Sequence, residues 1–456
     1  MPRRGDAVGA ERLAIFLAVF LPWLVNAVLV AWLARSVPWW DDWDLVDWWL
    51  RVRAGGVDLA ALWVPHNEHR IALPRLLFYF ALESGAGLLP LMLLSQVFIG
   101  ATLWLLAPLL RQAGAGWPRP WRLLILAAFA AFTLSWVQWL NMLMALQVSW
   151  SAALFGIVLA LSGMADVSSR GAPWRLGAGV AIAYLSCAIW LVLVPVLLGW
   201  QGLRAWGGRS AAVSRRRDLL WFAGMAAALG VLLGFYLHGL RPHATGAQPG
   251  IGLGAVAAFL LRFYGSPFTA RAGEPWMSVG LVTGIVFVVG SAALAVAAWR
   301  RTRRGRPVPA IGIAAVAMAH VAAWLIALGR SSGGADAPLA SRYTSVTLVG
   351  WVGLLAAAMI MEREPDTTSA PVPRSAPRQA LTVGVLTLLT LGVLLSGAKL
   401  QHVARLRQPR LAAAETCLRE VVADDALLPN QRRCLEELYP DTRRVVNIAR
   451  RMAAAR

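Results

Sequence analysis

Lysine is almost absent from this chain: of its 43 basic residues, only Lys399 is not arginine. Acidic residues are also few, 23 in 456, which leaves a formal net charge of +20. Charged residues make up 14% of the sequence, where a soluble domain carries roughly a quarter. That shortage excludes an ordinary water-soluble globule. Cysteine occurs three times, too rarely for a disulfide-built scaffold. There is no nucleotide-binding glycine loop. No internal repeat is visible, which weighs against a transporter assembled from inverted repeats.

What is present is apolar. Hydrophobic residues form 58% of the chain, and its mean hydropathy is +0.60. Runs of about 18 apolar residues or more recur along the whole length, each long enough to cross a bilayer. One such run can be a signal peptide; ten or more cannot. The positive charge first suggests nucleic acid, but the arginines stand in short blocks between apolar runs, as cytoplasmic loops require. We therefore expect a lipid bilayer as partner and no nucleic acid.

The pattern predicts an all-α polytopic bundle of about eleven spans. Arg3, Arg4 and Arg12 precede the first run, Leu13 to Leu33, and place the N terminus inside. Ser36 to Gly87 then forms a long outer loop. Its apolar stretch Ile71–Leu82 holds Arg75 and is too short to span, so it reads as a juxtamembrane helix. The later runs are Leu88–Leu110, Leu123–Trp136, Val148–Met164, Leu176–Ser186, Trp190–Trp206, Leu219–Leu240, Met277–Trp299, Ala310–Leu328, Ser345–Met361 and Leu381–Ser396. The fifth and sixth spans look short, as in a partly re-entrant hairpin. Ile251–Tyr264 reads as a second interfacial segment. In this topology Arg209, Arg215–Arg217 and Arg300–Arg306 lie inside, and the short loops favour the inside by about two to one. Residues 362–380, rich in Pro and Ser, read as a cytoplasmic linker. The chain thus divides into a bundle, 1–398, and a small helical tail outside the cytoplasm, 399–456. The tail is expected as two or three short helices broken by Pro429 and Pro440. Cys417 and Cys434 both lie there and form a disulfide or stay free thiols; Cys187, in an apolar run, reads as packing.

The first outer loop is richest in chemistry. It opens PWWDDWDLVDWW, Pro38 to Trp49, with Asp41 and Asp42 beside interface-seeking tryptophans. A carboxylate at that depth can accept a proton from a hydroxyl or hold a divalent cation, Mg or Mn. The alternative is a solvated helix cap beside an aromatic belt. The loop ends HNEHRIALPRLL, His66 to Leu77, where His66, Glu68, His69, Arg70 and Arg75 crowd together. Arginine is a good bidentate ligand of phosphate, while the two histidines with Glu68 have metal-site spacing. Arg342 and Tyr343 stand at the mouth of a late span, with Arg330 and Asp336 nearby. Gln138, Asn141 and Gln147 lie amid Trp and Met, suited to a sugar or to joining helices. His238 and His320 read as packed or interfacial.

Together these features resemble the GT-C class of integral-membrane glycosyltransferases, which use lipid-phosphate-linked sugars. That class has an acidic pair just after the first helix, here Asp41–Asp42. HRIALPRLLFY, His69 to Tyr79, resembles the juxtamembrane element whose basic residue meets donor phosphate. The Lys-Pro pair usual in lipid A aminoarabinose transferases is absent. LSCAIWLVLVPVLLGW, Leu185 to Trp200, resembles a shared short hairpin, without its usual polar residue at the bend. SRY, Ser341 to Tyr343, resembles an Arg-Tyr element before a late helix. The resemblance covers residues 38 to about 345 in patches. It implies transfer of a sugar from a polyprenyl-phosphate donor to a glycan, lipid or protein acceptor, at the outer face of a bacterial inner membrane. Asp41 or Asp42 would be the base or a cation ligand. Arg70, Arg75, Arg342 and Tyr343 would meet the donor phosphate. His66, Glu68, His69, Gln138 and Asn141 would face acceptor or sugar. A transporter or lipid flippase, an envelope assembly protein and a membrane acyltransferase are the alternatives.

Overall fold

The computed structural model describes residues 13, 16–56, 59–166, 169–207, 212–240, 252–269, 276–330, 337–362, 376–423 and 429–455. Arg3, Arg4, Arg12, Arg209, Asp336 and linker residues 363–375 lie outside them. Helix is the only regular secondary structure among the described residues, apart from one isolated bridge between His66 and His69. The helices are α1, 16–33, with α2, Asp42–Gly55, α3, Leu59–Trp63, and α4, Ala72–Glu83, in the first loop. Then come α5, Leu89–Gly114; α6, Arg119–Thr133; α7, Trp139–Leu143; α8, Val148–Ala165; α9, Ala172–Ser186; α10, Leu193–Gly207; and α11, Ala212–Leu237. The last are α12, Leu253–Gly265; α13, Trp276–Arg303; α14, Ala310–Arg330; α15, Ser341–Met361; α16, Ala376–Ala423; α17, Pro429–Leu435; and α18, Thr442–Ala455.

Ten helical stretches among the described residues are long and apolar enough to cross a membrane, one fewer than expected. The missing one is α9, whose 15 residues reach only about 22 Å at 1.5 Å per residue. Its neighbour α8 is nearly all buried and packs on it backbone to backbone. A Cβ on Gly156 would meet Ala183 N and Gly179 O at 2.7 Å, and one on Gly179 would meet Ala160 N at 2.4 Å. Small residues give this close approach where lipid offers no hydrophobic drive between helices.

Two expected boundaries shift. The third span does not simply exit at Trp136. After α6 the chain runs through short 3-10 turns and α7 to Gln147, most of it buried. Irregular backbone inside a bundle needs internal partners, and polar side chains supply them. Asn26 donates to Leu134 O at 2.6 Å and accepts from Trp136 Nε1 at 2.9 Å. Gln138 donates to Thr133 O at 2.6 Å. The Leu140 N–H donates to Ser341 Oγ at 3.1 Å. The second shift is at the tail. The last span continues unbroken as the 48-residue α16, through Lys399 and Pro409, to Ala423. The tail therefore begins as an extension of a span, and α17 and α18 fold back on it. Cys417 and Cys434 are bonded to each other and tie α16 to α17, while Cys187 is free and buried.

Candidate active site

Five pieces of chain meet at one end of the bundle and line a cavity of about 220 Å³. The turn before α2 contributes Trp40 and Asp41, the loop before α4 contributes His66, Asn67 and His69, and the start of α8 contributes Gln147 and Trp150. Arg330, at the end of α14, and Arg342 and Tyr343, at the start of α15, close the far side. Of the expected site residues, five converge here: Asp41, His66, His69, Arg342 and Tyr343.

The loop geometry is specific to this cavity. Among the described non-glycine residues only Trp40 (φ 51°) and Asn67 (φ 50°) have left-handed backbone, and both line it. For an ordinary side chain such as tryptophan this costs about 1–2 kcal/mol and persists only where surrounding contacts over-determine it. At Asn67 the turn is closed by two backbone bonds, His66 N to His69 O at 2.8 Å and His69 N to His66 O at 2.9 Å. Rings form the inner wall: His69 against Trp150 at 6.3 Å, and Trp150 against Tyr343 at 5.4 Å.

The charges are arranged unevenly. The Asp41 carboxylate has no hydrogen bond or ion pair among the described residues. Arg342 likewise has no ion pair there; its guanidinium lies 5.2 Å from the Tyr343 ring centre. Arg330 is bound to Glu68. Burial works to raise the Glu68 pKa, but the His69 charge and the Arg330 hydrogen bond outweigh it, giving about 2. Burial lowers His69 to about 4, against the pull of Glu68 and with the help of His66, Arg342 and Arg330. His69 is therefore neutral at pH 7, and Arg330 is the partner that keeps Glu68 ionised. Burial also lowers His66, against the attraction of Asp41 and Asp44. Two acceptor-capable groups of the cavity residues, His66 Nε2 and Gln147 Oε1, are buried with no hydrogen-bond partner among the described residues.

The remaining expected residues are held elsewhere. Asp42 is fully buried and accepts from Leu146 N at 2.8 Å and Trp39 N at 3.3 Å. Burial raises its pKa to about 7, more than these bonds lower it. It lines a different crevice from Asp41, so the pair does not form a shared cation site, and no group of three metal-ligating side chains occurs among the described residues. Arg70 donates to Tyr236 O at 2.7 Å and to the carbonyls of Trp63 and His238. Arg75 donates to Leu62 O at 2.9 Å and to Val64 O; burial, with Arg51 and Arg70 nearby, lowers it to about 10. Both guanidiniums are thus directed to backbone rather than to the cavity. Asn141 joins α7 to α15 through Arg342 O at 3.3 Å and Ser345 Oγ at 3.2 Å. Gln138 donates to Thr133 O at the end of α6. Of the three amides in that stretch, Gln147 alone reaches the cavity.

Trp150, Asn67 and Ser149 also line the cavity and carried no sequence signal beyond residue type. Cys187 Sγ lies 3.8 Å from His69 Nδ1, but the cysteine is completely buried behind the histidine and is not on the cavity wall. Comparison with family models, with curated proteins and with solved structures finds no match for this chain.

Proposed function

We propose that this multi-pass membrane protein is a glycosyltransferase that moves a sugar from a polyprenyl-phosphate donor to a glycan, lipid or protein acceptor at the outer face of the membrane. One observation carries the reading: a carboxylate with no hydrogen bond or ion pair among the described residues, Asp41, shares a ring-lined cavity at the bundle's end with Arg342 and Arg330. Arginines near a leaving phosphate stabilise the charge that develops as the glycosidic bond breaks. A carboxylate across the cavity takes the acceptor proton. In this scheme the acceptor oxygen bonds to the anomeric carbon, the carbon–oxygen bond to phosphate breaks, and polyprenyl phosphate leaves with the electron pair. The acceptor proton passes to Asp41.

Relative to the sequence expectation, the phosphate role moves from Arg70 and Arg75 to Arg342 and Arg330. The carboxylate role falls to Asp41 alone, with Asp42 in support of the fold. Trp40, Trp150 and Tyr343 offer faces for a sugar ring, and Gln147 and His66 offer acceptors for its hydroxyls.

The test is a glycan comparison of cells making wild type, Asp41→Asn or Arg342→Ala, with membrane levels matched. The expected result is loss of one sugar modification, with Asp41→Asn reducing turnover on the order of a hundredfold or more. Wild-type glycans from both variants, in cells where deletion has a phenotype, would overturn the reading and favour a transporter or an assembly protein.

A further inference from the structure

The Asp41 turn is held from outside the bundle. The Trp40 N–H, on the residue with the left-handed backbone, donates to Leu438 O at 2.8 Å. Trp39 Nε1 donates to Glu437 O at 3.1 Å. Arg407 stacks over the Trp39 ring at 4.1 Å and pairs with the Glu437 carboxylate at 2.7 Å. Further along α2, Arg444 pairs with Asp44 at 2.6 Å and Arg451 pairs with Asp47. Each of these partners belongs to the C-terminal tail, some 400 residues away in sequence.

The tail's own core is small. Leu435, Leu438, Val445 and Val421 are buried in it, and the Cys417–Cys434 bond closes the loop between α16 and α17. A fold of this size depends strongly on its cross-links. Leu438 lies four residues after Cys434, so the bond holds the carbonyl that meets Trp40.

We propose that the disulfide-closed tail is a positioning element for the cavity. Leu438 and Arg407 hold the 39–41 turn in the conformation that directs Asp41 to the cavity, and the Cys417–Cys434 bond keeps them there. A local turn alone does not account for the arrangement, because a tryptophan with positive φ relaxes when its restraint is removed. The functional meaning rests on the cavity being the transferase site, whereas the mechanical coupling stands without it.

The coupling is tested by amide hydrogen exchange on the full chain in detergent, independent of any transferase assay. Wild type with and without reductant is compared with Cys417→Ser/Cys434→Ser, Arg407→Ala and Arg407→Lys. With the disulfide removed, exchange is expected to rise about tenfold or more at residues 38–44 and 429–438, with α5 and α8 unchanged. Arg407→Ala is expected to loosen 38–44 with the disulfide intact, and Arg407→Lys, which keeps a cation over Trp39, to recover part of the protection. Unchanged exchange at 38–44 while 429–438 opens would overturn the coupling. Unchanged exchange at 429–438 would overturn the role given to the disulfide. Uniform loosening of α5 and α8 would show a general structural effect instead. If the coupling holds while Asp41→Asn leaves glycans intact, the transferase reading fails and the positioning role survives.

Discussion

At the residue scale, adjacent carboxylates have opposite situations. Asp41 faces the cavity with no hydrogen bond or ion pair among the described residues, while Asp42 accepts two backbone N–H groups. Asp42→Ala leaves those donors without an acceptor, and burying each costs about 1–3 kcal/mol. That variant should melt markedly lower in detergent, whereas Asp41→Asn should melt like wild type. Equal melting of the two would overturn the distinction. Titration gives a second check. The Asp42 pKa rises from 3.8 to about 7, so its stabilising effect is complete below about pH 4 and is lost as pH rises through 7. The His69 pKa falls from 6.5 to about 4, so its effect is complete above about pH 6.5 and is lost as pH falls through 4. The two oppose each other between these limits. On acidification from pH 7.5 to 4.5, His69→Gln should lose less thermal stability than wild type and Asp42→Asn more; slopes identical to wild type would refute both assignments. The sequence could not separate the two aspartates, since neighbours in a chain share composition while burial is set by what packs on them.

At the scale of elements, polar groups that resembled ligands turn out to complete broken backbone. Arg70 illustrates this, with its guanidinium joined to carbonyls of α3 and of the α11 end. Arg70→Ala should lower stability by about 2–5 kcal/mol, because removing a buried charged donor leaves several carbonyls unpaired. Arg70→Lys should not restore it, since an ammonium lacks the fork that spans them. A thermal melt of the two variants decides: full recovery with lysine would show that charge alone matters. The α8–α9 contact gives another case. Gly179→Leu introduces a Cβ 2.4 Å from Ala160 N, and the helices must separate. Loss of monodisperse protein in size exclusion is expected, with normal behaviour contradicting the close approach. Most of the spanning helices were legible from apolar length alone, whereas the charged α2 was not. The breaks at Leu134–Gln147 were not, because they depend on Asn26, Ser341 and Asp42 arriving from distant segments.

At the scale of the whole molecule, the arrangement fixes relative sidedness: the first loop, the cavity and the tail share one end of the bundle. Single cysteines at Asn67 and Asn447, each in a Cys187→Ala background, should therefore react with a membrane-impermeant maleimide from the same side in oriented vesicles. Labelling from opposite sides would refute the packing of tail on loop. The sequence by itself determined the all-helical membrane class, ten of the eleven expected spans and the long polar first loop, because crossing a bilayer needs only length and hydropathy, which are local properties. Tertiary structure alone decided which polar residues face the cavity. It directed Arg70, Arg75, Asp42 and Gln138 to backbone and Asn141 to the start of α15, brought Arg330, Gln147 and Trp150 to the cavity wall, and set the tail against Trp39 and Trp40. The physical reason is that a buried hydrogen-bonding group must find a partner, and whether that partner is backbone or an open cavity depends on chain segments hundreds of residues apart.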